Sequence, residues 1–287
     1  MFKSLKLTVF VLLATGLSPV LAQKTELLER GKYLMSSVVA CGNCHIPRGD
    51  KGQPLFDKGL SGGMVFDDLA FKAYASNLTP DAETGIGQLS DAQLIRAIRE
   101  GVRADGSMIG PPMPVEFYRH LSDDDVAAIV AYLRAQPAVK NVVAKSTYNI
   151  PLPASYGPAL GKVAASPATD RIKYGEYLAN IGHCMECHTP RDNKGVLQHD
   201  RIGAGGQVFK GPWGTSVSRN LTPDLTGLKD WTDVQISSAV RNGVDRNGNL
   251  YRPPMAFGYY KNISDADMGA LIAYLRSLEP QTFAGYP

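Results

Sequence analysis

The sequence predicts an all-α chain: two copies of one small helical domain in tandem, with a proline-rich linker between them. Three observations carry this. The length, 287 residues, suits about two domains at ~100–200 residues each. One pattern occurs twice, 143 residues apart at a cysteine motif and 142 apart after a one-residue deletion; a period that long denotes a duplicated domain rather than a solenoid. Each copy carries helix-start signals and apolar residues at helical spacing, and no stretch sustains the apolar–polar alternation of a strand.

The duplicated blocks keep their order. Gly31-Lys32-Tyr33-Leu34 returns as Gly175-Glu176-Tyr177-Leu178, and Asn77-Leu78-Thr79-Pro80-Asp81 as Asn220-Leu221-Thr222-Pro223-Asp224. Gly101-Val102 returns as Gly243-Val244, Pro111-Pro112-Met113 as Pro253-Pro254-Met255, and Ala131-Tyr132-Leu133-Arg134 as Ala273-Tyr274-Leu275-Arg276. The expected organisation is an export signal over 1–22, a first domain over 23–136, a linker over 137–170 and a second domain over 171–287.

Lys3 and Lys6, the apolar run Leu7 to Leu17 and the small-residue site Val20-Leu21-Ala22 have the three-part form of a cleavable signal, and the run falls short of the ~20 residues of a membrane span. Residues 26–41 then place Leu27, Leu28, Tyr33, Leu34, Val38 and Val39 at helical spacing. Ser90-Asp91-Ala92-Gln93 and Thr232-Asp233-Val234-Gln235 are capping boxes that start a middle helix in each copy. Ser122 and Ser264 are N-caps for the closing helices. Mid-helix glycine costs about 1 kcal/mol, so Gly31 and Gly175 predict a close approach of the first helix to Tyr132 or Tyr274 of the last. Between the copies, prolines at 137, 151, 153, 158 and 167 favour an extended, semi-rigid linker that packs on the domains.

Hydrophobic residues make up 44% and charged residues 20%, which excludes a charge-rich disordered chain. The net charge of +3, lowered further when the two lysines of the signal leave, argues against a nucleic-acid partner. No second apolar run long enough for a membrane span follows, so none is expected in the mature chain.

The four cysteines fall as Cys41-Gly42-Asn43-Cys44-His45 and Cys184-Met185-Glu186-Cys187-His188. Two disulfides would be an odd framework for a chain this long, which needs no staples. A zinc site wants its cysteine pairs ~15–20 residues apart, whereas 139 residues separate Cys44 from Cys184. A redox dithiol has no use for the histidine. Cys-x-x-Cys-His fits covalent haem attachment: two thiols bond the macrocycle's vinyl groups and the adjacent imidazole reaches the iron. The cofactors expected are two covalently bound haem c groups, held by Cys41, Cys44 and His45 and by Cys184, Cys187 and His188.

Each iron has a second axial position. Among the methionines only Met113 and Met255 recur at one place in both copies, 68 and 67 residues after their histidines and behind two prolines that stiffen the loop. The expected metal ligands are therefore His45, Met113, His188 and Met255. Met64 and Met108 are weaker rivals, and a second histidine would have to come from His120, His183 or His199. The carbonyls of Pro47 and Pro190 are candidates to orient the ligating imidazoles. Arg48 and Arg191 are either propionate partners or solvent-exposed, and Asn77, Thr79, Asn220 and Thr222 either serve the propionate edge or simply form a turn.

With these blocks in place the chain resembles the class I cytochromes c, and in particular the multihaem cytochrome subunits of bacterial periplasmic alcohol and gluconate dehydrogenases. The resemblance runs from Glu26 to Pro280 and implies a fold of two tandem cytochrome c domains, each a helical bundle around its haem. It implies a periplasmic electron-transfer protein without catalytic residues of its own, taking electrons from a dehydrogenase and passing them to a respiratory cytochrome or oxidase. Such relatives carry three haem domains and a C-terminal anchor, against two domains and no anchor expected here. The alternative is a dihaem enzyme of the peroxidase type, with one iron open to substrate.

Overall fold

The computed structural model describes residues 19–283 and Gly285. The expected signal at 1–22 lies outside them except for its last four residues, which open the first helix.

The first copy contains α1 (Pro19–Ser36), α2 (Gly42–His45), β1 (Val65–Asp67), β2 (Phe71–Tyr74), α3 (Asp91–Glu100), α4 (Val115–Tyr118) and α5 (Asp123–Arg134). A two-residue strand, β3 (Thr147–Tyr148), follows. The second copy repeats the series as α6 (Arg171–Ile181), α7 (Cys184–His188), β4 (Val208–Gly211), β5 (Gly214–Val217), α8 (Asp233–Asn242), α9 (Phe257–Tyr260) and α10 (Asp265–Ser277).

Local chemistry sets these helices. Ser90 and Thr232 each accept a hydrogen bond from the backbone N–H three residues on, while Gln93 and Gln235 reach back to the cap N–H, satisfying two end donors at each start. Ser122 and Ser264 cap α5 and α10 by accepting from the N–H of Asp125 and Asp267. The core lies where the first and last helices of each copy cross. Leu34, Val38, Val126 and Ile129 are fully buried in the first copy, and Leu178, Ile181 and Met268 in the second. At both crossings a glycine lets the backbones touch. A Cβ on Gly31 would stand 2.6 Å from the carbonyl carbon of Ala128 and 2.8 Å from Tyr132 Cβ, with the Ala128 oxygen nearer still; Gly175 meets Ala270 and Tyr274 identically. The expected neighbour was the tyrosine; the helix backbone comes first.

The all-α expectation needs a correction. The chain is mostly helical but carries a three-stranded sheet in the order β1-β2-β3 and a β4–β5 hairpin, all antiparallel. These strands are two to four residues long, too short for an alternating pattern to stand out from the sequence. β2 pairs β1 in the register Phe66↔Ala73 and β3 in the register Lys72↔Thr147. In the second copy no third strand pairs with β5 among the described residues.

The segment between the copies lies along the first one. Val139 N–H donates to Thr79 Oγ1 and Asn141 Nδ2 to Ser61 O. Tyr156 Oη donates to Ile109 O at 2.8 Å, Arg119 to Pro158 O, and Asp123 and Val163 meet through their backbones. Proline-rich backbone donates few hydrogen bonds of its own, so side chains and isolated amides do the tethering.

Candidate haem sites

Each cysteine motif forms one helical turn, α2 or α7. A single turn puts residues i, i+3 and i+4 on one side, so two sulfurs and an imidazole share a face in each copy. The turns follow a residue with positive φ, Ala40 (52°) or His183 (43°), which swings the chain out of the preceding helix. All four cysteines are free of disulfides. Burial pushes the thiols up, to about 12 for Cys41 and Cys187 and about 11 for Cys44 and Cys184. A redox dithiol works through a lowered thiol, the opposite of the direction in which burial moves these. Among the described residues no cluster of three or more His, Cys, Asp or Glu converges as a metal cage.

The histidines are already oriented. His45 Nδ1 lies 2.8 Å from Ser76 O and His188 Nδ1 2.7 Å from Arg219 O. A carbonyl only accepts, so Nδ1 carries the proton and Nε2 keeps its lone pair for a metal. Burial moves both imidazoles below their ordinary pKa, which favours the neutral form that a metal can accept. The orienting carbonyls are not those of Pro47 and Pro190, which accept from Leu55 and Gln198 N–H at 2.9 Å. They belong instead to the residues just before the repeated Asn-Leu-Thr-Pro-Asp block.

Gly62 and Gly205 make that approach possible. Gly62 N–H donates to His45 O and Gly205 N–H to His188 O. Their φ values are 76° and 73°, and a Cβ would stand 2.5 Å from Ser76 O or 2.6 Å from Ser218 O. Only glycine suits both the dihedral and the space. Sequence reasoning missed these four positions, although Gly62-Gly63-Met64-Val65-Phe66 against Gly205-Gly206-Gln207-Val208-Phe209 held the signal.

Met113 and Met255 sit in matching loops just before α4 and α9, half-buried against the core. In both loops the preceding Pro-Pro bond is cis. Val115 N–H donates to Met113 O and Phe257 N–H to Met255 O, so the short helix begins at once behind each methionine. In the second copy Ser216 Oγ also donates to Pro253 O at 2.6 Å, tying β5 to the loop.

The other methionines and histidines sit as follows. Met35, Met185 and Met268 are core residues; Met64 leads into β1, and Met108 bridges to Val102. His120 and His199 are exposed. His183 lies edge-on to Tyr118 at 6.1 Å, with Nδ1 3.5 Å from Glu186, and burial lowers it to about 4. Arg48 donates to Asn43 O, and Arg191 to Gly195 O. Asn77 Oδ1 accepts from Thr79 N–H and Oγ1 while Nδ2 donates to Val139 O, and Asn220 repeats this with Thr222 and Gln281. These residues form a turn and tie down the chain that follows the last helix.

Free paired thiols, a neutral imidazole with its Nε2 available, and a glycine cradle, all occurring twice, fit covalently attached haem and define a two-centre c-type haem protein. The cytochrome c family model matches residues 28–137 and 172–279, and the chain belongs to the cytochrome c family. It carries two covalently bound haem c groups, one per domain. It is 31% identical over 275 residues to the fructose dehydrogenase cytochrome subunit of Gluconobacter japonicus, a match covering 90% of this chain and 54% of that one. It is 30% identical over 271 residues to the cytochrome c subunit of a quinone alcohol dehydrogenase from Gluconobacter oxydans, covering 88% and 55%. A diheme cytochrome c-type protein of Cereibacter sphaeroides is 29% identical over 251 residues, covering 82% and 81%. The chain thus spans about half the length of the dehydrogenase subunits.

Proposed function

We propose that this chain is a periplasmic dihaem electron carrier. It takes electrons from a dehydrogenase, as its relatives' names suggest, and passes them to a respiratory cytochrome or oxidase; it is not itself the catalytic subunit. Cys41 and Cys44 hold one haem and Cys184 and Cys187 the other. His45 with Met113, and His188 with Met255, close the two irons. The haems supply the one-electron chemistry. The protein orients the imidazoles through the Ser76 and Arg219 carbonyls and presents thioethers from stiffened loops, and methionine ligation raises the potential. Relatives named as cytochrome subunits of dehydrogenases support the donor, and no described helix is long and apolar enough to cross a membrane.

The observation that carries this reading is the duplication of the whole ligand set, pre-set imidazole and Pro-Pro-Met loop alike, because a substrate-binding iron would need one copy to depart from it. The oxidised absorption spectrum tests it. Both irons should contribute the sulfur-to-iron band at the red end of the visible range, and Met113→Ala and Met255→Ala should each remove about half of it. A half-strength band in the unaltered protein, with peroxide turnover, would overturn the carrier reading.

A further inference from the structure

The two copies meet across a seam with its own repeat symmetry. Tyr33 Oη, from α1, donates to Asp267 Oδ2 of the second copy at 2.6 Å and accepts from Ser264 N–H at 3.1 Å. Tyr177 Oη, from α6, donates to Asp125 Oδ2 of the first copy at 2.5 Å and accepts from Ser122 N–H at 3.3 Å. Tyr33 and Tyr177 occupy one position of the duplicated block, and Asp125 and Asp267 another. Residue i thus meets j while j meets i, the signature of a two-fold interface, here within a single chain. Both aspartates are buried. Burial and the carboxylate beside each hydroxyl push both tyrosines up, so they remain protonated donors.

A two-fold seam brings matching parts of the two copies together, and here the region of each cysteine turn meets the short helix of the other copy, α9 or α4. The Tyr259 ring of the second copy covers Gly42 in the first motif, with Cζ 3.0 Å from where a Cβ would stand. Gly182, two residues before the second motif, rests on Val38, and the His183 ring meets Tyr118 edge-on.

We propose that Tyr33 and Tyr177, with Asp267 and Asp125, are positioning residues that hold the region of each Cys-x-x-Cys-His turn against the short helix of the other copy, so that electrons cross between the two haems inside the chain. The proposal rests on the electron-carrier reading. The step is one electron from the iron of one domain to that of the other: ferrous becomes ferric as ferric becomes ferrous, and no bond or proton moves. The clasps touch neither motif directly; they act by fixing one domain against the other.

The test uses the full-length protein with both haems attached. Tyr33→Phe/Tyr177→Phe should keep its haem content and its sulfur-to-iron band, because those belong to each domain separately. The paired positive and negative circular-dichroism signals that two fixed, neighbouring haems give in the Soret band should fall by at least half. Electron redistribution after half-reduction should slow at least tenfold. Asp267→Asn, which keeps an acceptor for Tyr33, should retain both properties, whereas Asp267→Ala should lose them; this pair carries the test where the double variant fails to accumulate. A double variant with the full signal pair and rate overturns the proposal. So does unaltered protein with two haems and no signal pair, a result that leaves the carrier reading standing. One haem per chain, or no methionine band, would sink the carrier reading itself.

Discussion

Gly31→Ala isolates how much of the first domain depends on one backbone-to-backbone contact. The added Cβ would lie 2.6 Å from Ala128 C and 2.8 Å from Tyr132 Cβ, against the ~3.5–4.0 Å at which carbon atoms rest. α1 must therefore retreat by about 1 Å, since neither obstacle is the end of a flexible side chain. That gap forfeits a quarter to a half of each contact it opens, and it opens along Leu34 and Val38 against Val126 and Ile129, all fully buried. Overpacking of this kind costs ~1–3 kcal/mol and at times more; a backbone obstacle puts it at the upper end. Alanine returns about 1 kcal/mol of helix propensity, leaving a net loss of roughly 2 kcal/mol. At ~2–8 °C per kcal/mol, the span for domains on either side of this size, that is a fall of about 4–16 °C in Tm. Calorimetry of the haem-loaded protein measures it, with Gly175→Ala expected to match because Ala270 and Tyr274 stand at the same distances. Gly161→Ala is the control: nothing lies within 4 Å of its Cβ position, so it should be neutral or slightly stabilising. A Gly31→Ala protein that melts at or above the unaltered temperature would refute the close-crossing argument.

Ser90→Ala and Thr232→Ala each remove the cap acceptor of a capping box and should cost about 1 kcal/mol, read as a lower urea midpoint with an unchanged slope. The hydroxyl and then the backbone N–H of Thr84 hold Asp81 below the usual carboxylate range, and those of Thr226 do the same for Asp224. A depressed pKa means the folded state prefers the charged form. The stability it gives is present above the ordinary carboxylate pKa and is lost as pH falls through the depressed values. Asp81→Asn and Asp224→Asn should therefore flatten the acid limb of the stability–pH curve, most visibly below about pH 4; an acid limb as steep as in the unaltered protein would count against this.

What could be read from the sequence followed the range of each signal. Capping boxes act over three residues, and Ser90 and Thr232 behave as the pattern requires. The cysteine motif acts over five, within one turn. Duplication extended this reach, because a residue that recurs in both copies is held by something common to both, and that singled out Met113 and Met255. The imidazole acceptors lay beyond it. Ser76 and Arg219 act through backbone carbonyls, so their side chains are free to differ and leave no trace at those positions. The trace sits instead at Gly62 and Gly205, where close approach and positive φ constrain the residue itself. The short strands escaped for the opposite reason: β3 has two residues, and only its pairing with Phe71 and Lys72 makes it a strand at all.

The points where the copies differ follow the path of the chain between them. Its strand β3 and the residues after it cover the first copy, where Gly110 would clash with Tyr148 and Leu152 if it had a Cβ. The matching residue in the second copy is Arg252, which is exposed. A side chain of that size stands where, among the described residues, no connector passes overhead, and glycine stands where one does. The seam shows the same logic in charge. Asp125 receives both Tyr177 and a bidentate Arg30, at 2.7 and 2.8 Å. The position matching Arg30 holds Tyr174, stacked on Tyr177 with ring centres 6.2 Å apart. A buried carboxylate needs partners, and two tyrosine clasps with one arginine hold a pair of them without placing two guanidinium groups side by side. The duplicated interior is thus kept alike by the haem each copy must hold, while the surfaces that meet the connector and each other have diverged to fit what lies against them.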